Sequence, residues 1–276
     1  MEITVGLFLL VFILAFICEF IDSSMGMGYG TILTPVLLIM GFDPLMVIPS
    51  ILLSQAFGGF SASIFHHQFH NATFNRKSED FKIFLYISGF GIIATIFAAL
   101  LSINLPKSLL KSYIGLLVLI MGVIVLYNHT FTFSLKKMIA IGVISAFNKG
   151  LSGGGFGPVV TGGQIISGQN HRNAIGITTL AEAPICMIGF FTFIIGRTVQ
   201  ELNGQVLNMP FSKFTHHLFA PDMFSWELLL ALLLGSVFVT PFGAFTTKVI
   251  NKKILNYIIG ITITLLGIWT LYKTWL

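Results

Sequence analysis

Charge is what this sequence has least of: only 9% of its 276 residues are Asp, Glu, Lys or Arg, against about 25% in an ordinary soluble domain. With 55% of the chain hydrophobic, that scarcity excludes a soluble core inside a solvated shell. Cysteine is almost missing too. Cys18 and Cys186 are too few for a disulfide framework, and both lie inside apolar runs, where they read as small core residues. No two-residue alternation of apolar and polar positions is present, which excludes a membrane barrel. The net charge of +5 comes from Lys and Arg spread thinly over loops, without the basic, aromatic-interleaved patch that binds nucleic acid. Phosphate-binding loops, zinc motifs and nucleophile elbows are absent as well. The start, Met1-Glu2-Ile3, has no basic region, and the first apolar run lacks a small-residue cleavage pattern, so it is expected to be a retained helix and not a signal peptide.

What the chain does have is apolar runs long enough to cross a bilayer, which takes roughly 20 helical residues. They are Ile3 to Ile21, Pro44 to Phe65, Phe81 to Ser102, Leu109 to Tyr127, Arg172 to Ile195, Trp226 to Thr247 and Ile254 to Leu276. In lipid these runs must be helices, because every backbone polar group has to be satisfied within the segment. The polar stretches between them are too short for separate domains. The expectation is one all-α polytopic membrane domain, 1–276, in the bilayer of a prokaryotic plasma membrane.

Shifting the sequence against itself by 127 positions brings nine identities into register without a gap. Phe20 meets Phe147; Gly26, Gly28 and Gly30 meet Gly153, Gly155 and Gly157; Thr34, Ile39, Gly41, Ile48 and Ala56 meet Thr161, Ile166, Gly168, Ile175 and Ala183. The aromatics Tyr29 and Phe156 also pair. This predicts a two-fold internal repeat, about 1–127 and 128–276. Each copy reads as a long helix, a glycine-rich break (Asp22 to Gly30; Asn148 to Gly157), a short helix (Thr31 to Met40; Pro158 to Ser167), a turn and a full helix. Whether the short elements add crossings decides between eight and ten segments: five per copy give an inverted repeat, four a parallel one. Both arrangements place the termini on the same side, and the Lys and Arg distribution is too even to choose between them.

Broken helices at matching positions of two halves mark the binding site of many transporters. Glycine at alternate positions in Gly26-Met27-Gly28-Tyr29-Gly30 and in Gly153-Gly154-Gly155-Phe156-Gly157 suits concave arrays of N–H groups. Each array leads into a helix N-terminus, at Thr31 and at Pro158, where the dipole favours an anion. The alternative is that these glycines only let helices pack closely.

Ionisable residues inside spans are costly and usually functional. Asp22 and Lys149 are partners under the repeat, and so are Gln55 and Glu182. Asp22 and Lys149 could pair with one another; otherwise Lys149 could attract anions while Asp22 takes part in coupling, or both could snorkel to the interface. Glu182 is the first candidate for a carboxylate that couples substrate to H+ or Na+, with a structural hydrogen bond as its alternative. Glu19, one turn before the first break, ranks lower as buried or snorkelling. His66 and His70 could reach a metal at one-turn spacing, but such a run more often forms an interfacial loop, and His216 and His217 lie in a polar loop. No metal or cofactor is expected.

The run Asp22-Ser23-Ser24-Met25-Gly26-Met27-Gly28-Tyr29-Gly30-Thr31 with Pro35, and the run Gly153-Gly154-Gly155-Phe156-Gly157-Pro158-Val159-Val160 followed by Ile175-Gly176 and Glu182, resemble the TauE/SafE family of sulfite and organosulfonate exporters. The resemblance extends over nearly the whole chain. It implies a permease for small sulfur oxyanions or sulfonates, coupled to an ion gradient, built of bundled helices without a cofactor. The competing readings are a passive anion channel and an intramembrane enzyme. The second is disfavoured because the histidines do not face Glu182 from inside a span.

Overall fold

A computed structural model describes residues 3–127, 135–166, 169–202, 210–220, 225–249 and 252–276. Among them every regular element is a helix: α1 (Val5–Met25), α2 (Tyr29–Ile39), α3 (Pro44–Gln68), α4 (Glu79–Asn104), α5 (Lys107–Tyr127), α6 (Leu135–Ser152), α7 (Gly157–Ile166), α8 (His171–Glu201), α9 (Phe211–Leu218), α10 (Trp226–Thr246) and α11 (Lys252–Trp275). Seven of them are long and apolar enough to cross a bilayer: α1, α3, α4, α5, α8, α10 and α11. Helix α6, with Lys136, Lys137 and Lys149, is shorter in its apolar part. Helices α2 and α7, of 11 and 10 residues, reach only about half of a hydrocarbon core at 1.5 Å per residue.

Side-chain oxygens set several helix starts. Thr4, Asp43, Ser78, Asn170 and Ser225 each accept a backbone N–H from the first turn of the helix that follows. The molecule is apolar outside and polar within, as a bilayer demands. Phe97, Phe238 and Leu265 are exposed, whereas Glu19, Asp22, Gln55, Lys149 and Glu182 are all buried.

Contacts between helices fix their relative directions. Gly235 packs on Phe12 and Ala15 while Gly243 packs on Ser23, so α1 and α10 run the same way. Gly142 meets Ile87 and Gly150 meets Thr95, so α4 and α6 also run together. Helix α3 is parallel to α10, through Ser54–Ser236 and Ser61–Thr240. It is antiparallel to α8, where Gly59 lies on Ala183 and Gly189 on Leu52. Helices α5 and α11 form a tight antiparallel pair through Gly115, Gly122, Gly260 and Gly267, each pressed against the other helix. Followed along the chain, the directions alternate: α1 goes one way, α2 returns and α3 goes back again; α6 and α7 do the same from the opposite side.

The breaks are narrower than the sequence suggested. Helix α1 continues through Asp22, Ser23 and Ser24 to Met25, and α6 continues through Asn148 and Lys149 to Ser152. Their polar side chains do not stop them, because Ser23, Ser24 and Ser152 donate back to carbonyls three or four residues earlier. The short helices begin at Tyr29 and Gly157 instead of Thr31 and Pro158. The turn expected at Gly168, the end of the short helix at Ser167 and the repeat boundary near residue 128 lie outside the described residues.

Candidate functional site

The two breaks meet in the middle of the molecule, backbone to backbone. Gly26 and Gly153 end α1 and α6 in the left-handed conformation, with φ of 72° and 75°. A Cβ on Gly30 would overlap the Gly153 carbonyl oxygen, and one on Gly157 would overlap that of Gly26. On Gly154 it would lie 2.8 Å from the Gly30 carbonyl oxygen. The Thr161 hydroxyl donates to the Gly26 carbonyl at 2.8 Å, and the Gly155 N–H donates to Thr31 Oγ1 at 3.1 Å, so each break is tied to the short helix that follows the other. Close packing, the alternative to a site, therefore accounts for Gly26, Gly30, Gly154 and Gly157. It leaves open what the enclosed polar side chains do.

Those side chains form two pairs at corresponding places. In the first half Gln55 Nε2, on α3, donates to Asp22 Oδ2, on α1, at 3.0 Å. In the second half Lys149 Nζ, on α6, lies 2.7 Å from Glu182 Oε1, on α8, with both side chains almost fully buried. Asp22 also accepts the Tyr29 N–H at 3.3 Å, so the first short helix carries the protein's own carboxylate on its N-terminus. Two of the sequence alternatives for Lys149 do not hold: its direct partner is Glu182 and not Asp22, and it is buried and does not snorkel. Asp22 is buried likewise, yet within electrostatic reach of both Lys149 and Glu182. The Lys149 ammonium also faces Gly30, where a Cβ would stand 2.9 Å from Nζ. Tyr29 and Phe156 are fully buried; the Tyr29 hydroxyl donates to Ser54 Oγ at 2.8 Å.

Sequence reasoning passed over part of this centre. Thr161 Oγ1 also lies 3.0 Å from Thr178 Oγ1, and Gln164 Nε2 donates to Thr178 Oγ1 at 2.8 Å, which makes a buried polar chain behind the second break. The Tyr113 hydroxyl donates to Asn148 Oδ1 at 2.5 Å. Thr34 Oγ1 and Gln55 Oε1 are buried without a hydrogen-bond partner among the described residues. A polar residue in an otherwise apolar helix was the available signal, and Thr34 and Thr161 carried it in register. His66 is a correction: it is not in an interfacial loop but fully buried in the last turn of α3, with Nδ1 3.0 Å from Asn71 Nδ2. Among the described residues no three His, Cys, Asp or Glu side chains come together in a way that could hold a metal ion.

A bundle of apolar-surfaced helices around a buried, charged and glycine-lined centre defines a polytopic membrane transporter. The chain belongs to the sulfite exporter TauE/SafE family, whose profile matches residues 11–270. It is 26% identical over 270 residues to the "Probable membrane transporter protein YtnM" of Bacillus subtilis (strain 168), an alignment covering 94% of this chain and 80% of the relative. No solved structure matches it. Family and relative are membrane transporters and not enzymes, which removes the intramembrane enzyme from consideration.

Proposed function

We propose that the protein exports a small anion, sulfite or an organosulfonate, from a site formed where the two breaks touch, by secondary transport coupled to an ion gradient. The observation that carries this reading is the buried Lys149–Glu182 pair beside the glycine breaks. Burying two charges costs several kcal/mol per ion, and an apolar pair of similar volume would serve stability as well or better. A carboxylate already seated on a buried lysine stands where a substrate anion would sit, so an oxyanion entering beside Gly30 would compete with Glu182 for Lys149. The backbone around Gly26, Gly28, Tyr29, Gly30 and Thr31 and around Gly153, Gly154, Gly155, Phe156 and Gly157 would line that site. Since Asp22 already occupies the start of α2, charge selection falls mainly to Lys149 and the start of α7. Asp22, Gln55 and Glu182 would link substrate occupancy to movement of H+ or Na+.

We also propose that the chain is a single domain of two inverted copies, about 1–127 and 128–276. The opposed directions of α1 and α6, of α3 and α8 and of α5 and α11 support this, as do the matched Gly26–Thr161 and Gly153–Thr34 approaches. Rocking of one copy against the other would expose the shared site alternately to the two sides. The family description and the bacterial relative favour a prokaryotic plasma membrane. The test is flux of radiolabelled sulfite and of the organosulfonate isethionate in proteoliposomes. Saturable flux that an imposed ion gradient drives uphill, and that Lys149→Ala abolishes, is expected. Flux that never exceeds equilibrium would make the protein a passive channel, and no flux of either anion would overturn the reading.

A further inference from the structure

Glu19 has no counterpart in the second copy, where the corresponding residue is Ala146. It is fully buried in α1, and neither carboxyl oxygen has a hydrogen-bond partner among the described residues. The carboxyl lies against Gly58 of α3, where a Cβ would stand 3.2 Å from both Glu19 Cδ and Oε2 and equally 3.2 Å from Ser236 Cβ of α10. Its head group is thus at the junction of α1, α3 and α10, one turn from Asp22.

The donors nearby are committed elsewhere. Tyr29 OH donates to Ser54 Oγ, Ser54 Oγ to the Ile51 carbonyl and Ser236 Oγ to the carbonyls of Ser54 and Leu233. The titratable and charged groups that sense Glu19 are Cys18 and Asp22 on its own helix, Tyr29 on α2, Lys149 on α6, and Glu182 and Cys186 on α8. The cation among them is held by Glu182, and α3 and α10 present Gly58 and Ser236. An ionised carboxylate without donors in such a place costs several kcal/mol, whereas the neutral acid can be packed there.

We infer that Glu19 is the carboxyl that carries the coupling proton, taking it from water on one side before the α1–α3–α10 junction closes over the neutral acid and releasing it to water when the junction opens on the other. This rests on the transport reading above and replaces Glu182 as the proton carrier, since Glu182 and Asp22 both have partners in the closed arrangement. The proton bound to the carboxyl oxygen leaves to water on one side and is regained from water on the other. Protonation therefore favours the packed state, and loss of the proton favours a state in which Glu19 meets water or competes for Lys149. Glycine at position 58 leaves the space the carboxyl occupies, since a Cβ there would stand 3.2 Å from it.

The full-length protein in proteoliposomes with radiolabelled sulfite, and an internal dye reporting pH, separates the two steps. Glu19→Gln keeps sulfite-for-sulfite exchange near the wild-type rate, because exchange needs no net proton movement. It loses accumulation driven by a pH gradient and the accompanying pH change of the lumen. Glu19→Asp restores both in part. Accumulation by Glu19→Gln at the wild-type level, or loss of exchange together with accumulation, would overturn the inference while leaving anion transport standing. Wild-type protein that moves neither sulfite nor isethionate would overturn the transport reading instead. An infrared pH-difference spectrum of the protein in lipid decides for Glu19 even then. The C=O band of a protonated carboxylic acid that appears on acidification must vanish in Glu19→Gln and persist in Glu182→Gln; a band unchanged in Glu19→Gln overturns the assignment.

Discussion

Lys149 and Glu182 hold each other inside the molecule at 2.7 Å, and the consequence of breaking them is asymmetric. Removing one partner strands a buried charge and costs about 3–5 kcal/mol, while replacing both by apolar residues of like volume is neutral or stabilising. Lys149→Ala is therefore expected to lower the apparent Tm of the purified protein sharply, and Lys149→Met with Glu182→Leu to recover it. Transport should stay absent in both, because the double variant restores packing and not the cation. A double variant that transports would detach Lys149 from the substrate. These residues were legible in the sequence through the self-alignment: Asp22 and Lys149, Gln55 and Glu182 stood in register, and Asp22, Lys149 and Glu182 are among the chain's few charged residues. Which residue each of them touches was not legible. That depends on α1 packing beside α3 and α6 beside α8, so that each pair closes within one half of the chain, and nothing in the register distinguishes this from Asp22 meeting Lys149 across the halves.

At the level of elements, the glycines act where two backbones touch. Gly30→Ala would set a methyl group into the Gly153 carbonyl, with no flexible side chain to yield. Gly162→Ala, in α7, meets open space and improves helix propensity. The first should abolish folded, monodisperse protein on size exclusion, and the second should leave yield and flux unchanged. The α5–α11 pair offers an independent check. A Leu at Gly122 would overlap Thr264, and overpacking of this kind costs about 1–3 kcal/mol or more, so Gly122→Leu should lower the thermal midpoint without changing which anion protects the protein. Break positions could be read from glycine spacing, but the ends of the helices could not. Asp22, Ser23 and Asn148 looked like helix breakers; inside a membrane, serines donate to carbonyls of their own helix, and only the left-handed Gly26 and Gly153 end α1 and α6.

For the whole molecule, the alternating directions place the start of α5 on the side of both termini and the α3–α4 connection on the other. Lys107 and Lys77, both exposed, mark these two sides. In a background with Cys18 and Cys186 replaced, Lys107→Cys and Lys273→Cys, both at exposed positions, should react with an impermeant thiol reagent from the same face of the membrane; labelling from opposite faces would contradict the inverted arrangement. The Lys and Arg counts could not decide this because they are nearly balanced. The contacts that bear on it are those of α3, parallel to α10 through Ser54–Ser236 and Ser61–Thr240 and antiparallel to α8 through Gly59–Ala183, and they support the proposed inverted arrangement. Everything proposed for this protein depends on carriage of a small anion at the touching breaks through Lys149. Its most direct test is sulfite flux in proteoliposomes of the wild type, Gly162→Ala and Lys149→Ala side by side. Saturable, gradient-driven flux is expected in the first two and none in the third; equal flux in all three would remove Lys149 from the anion's path.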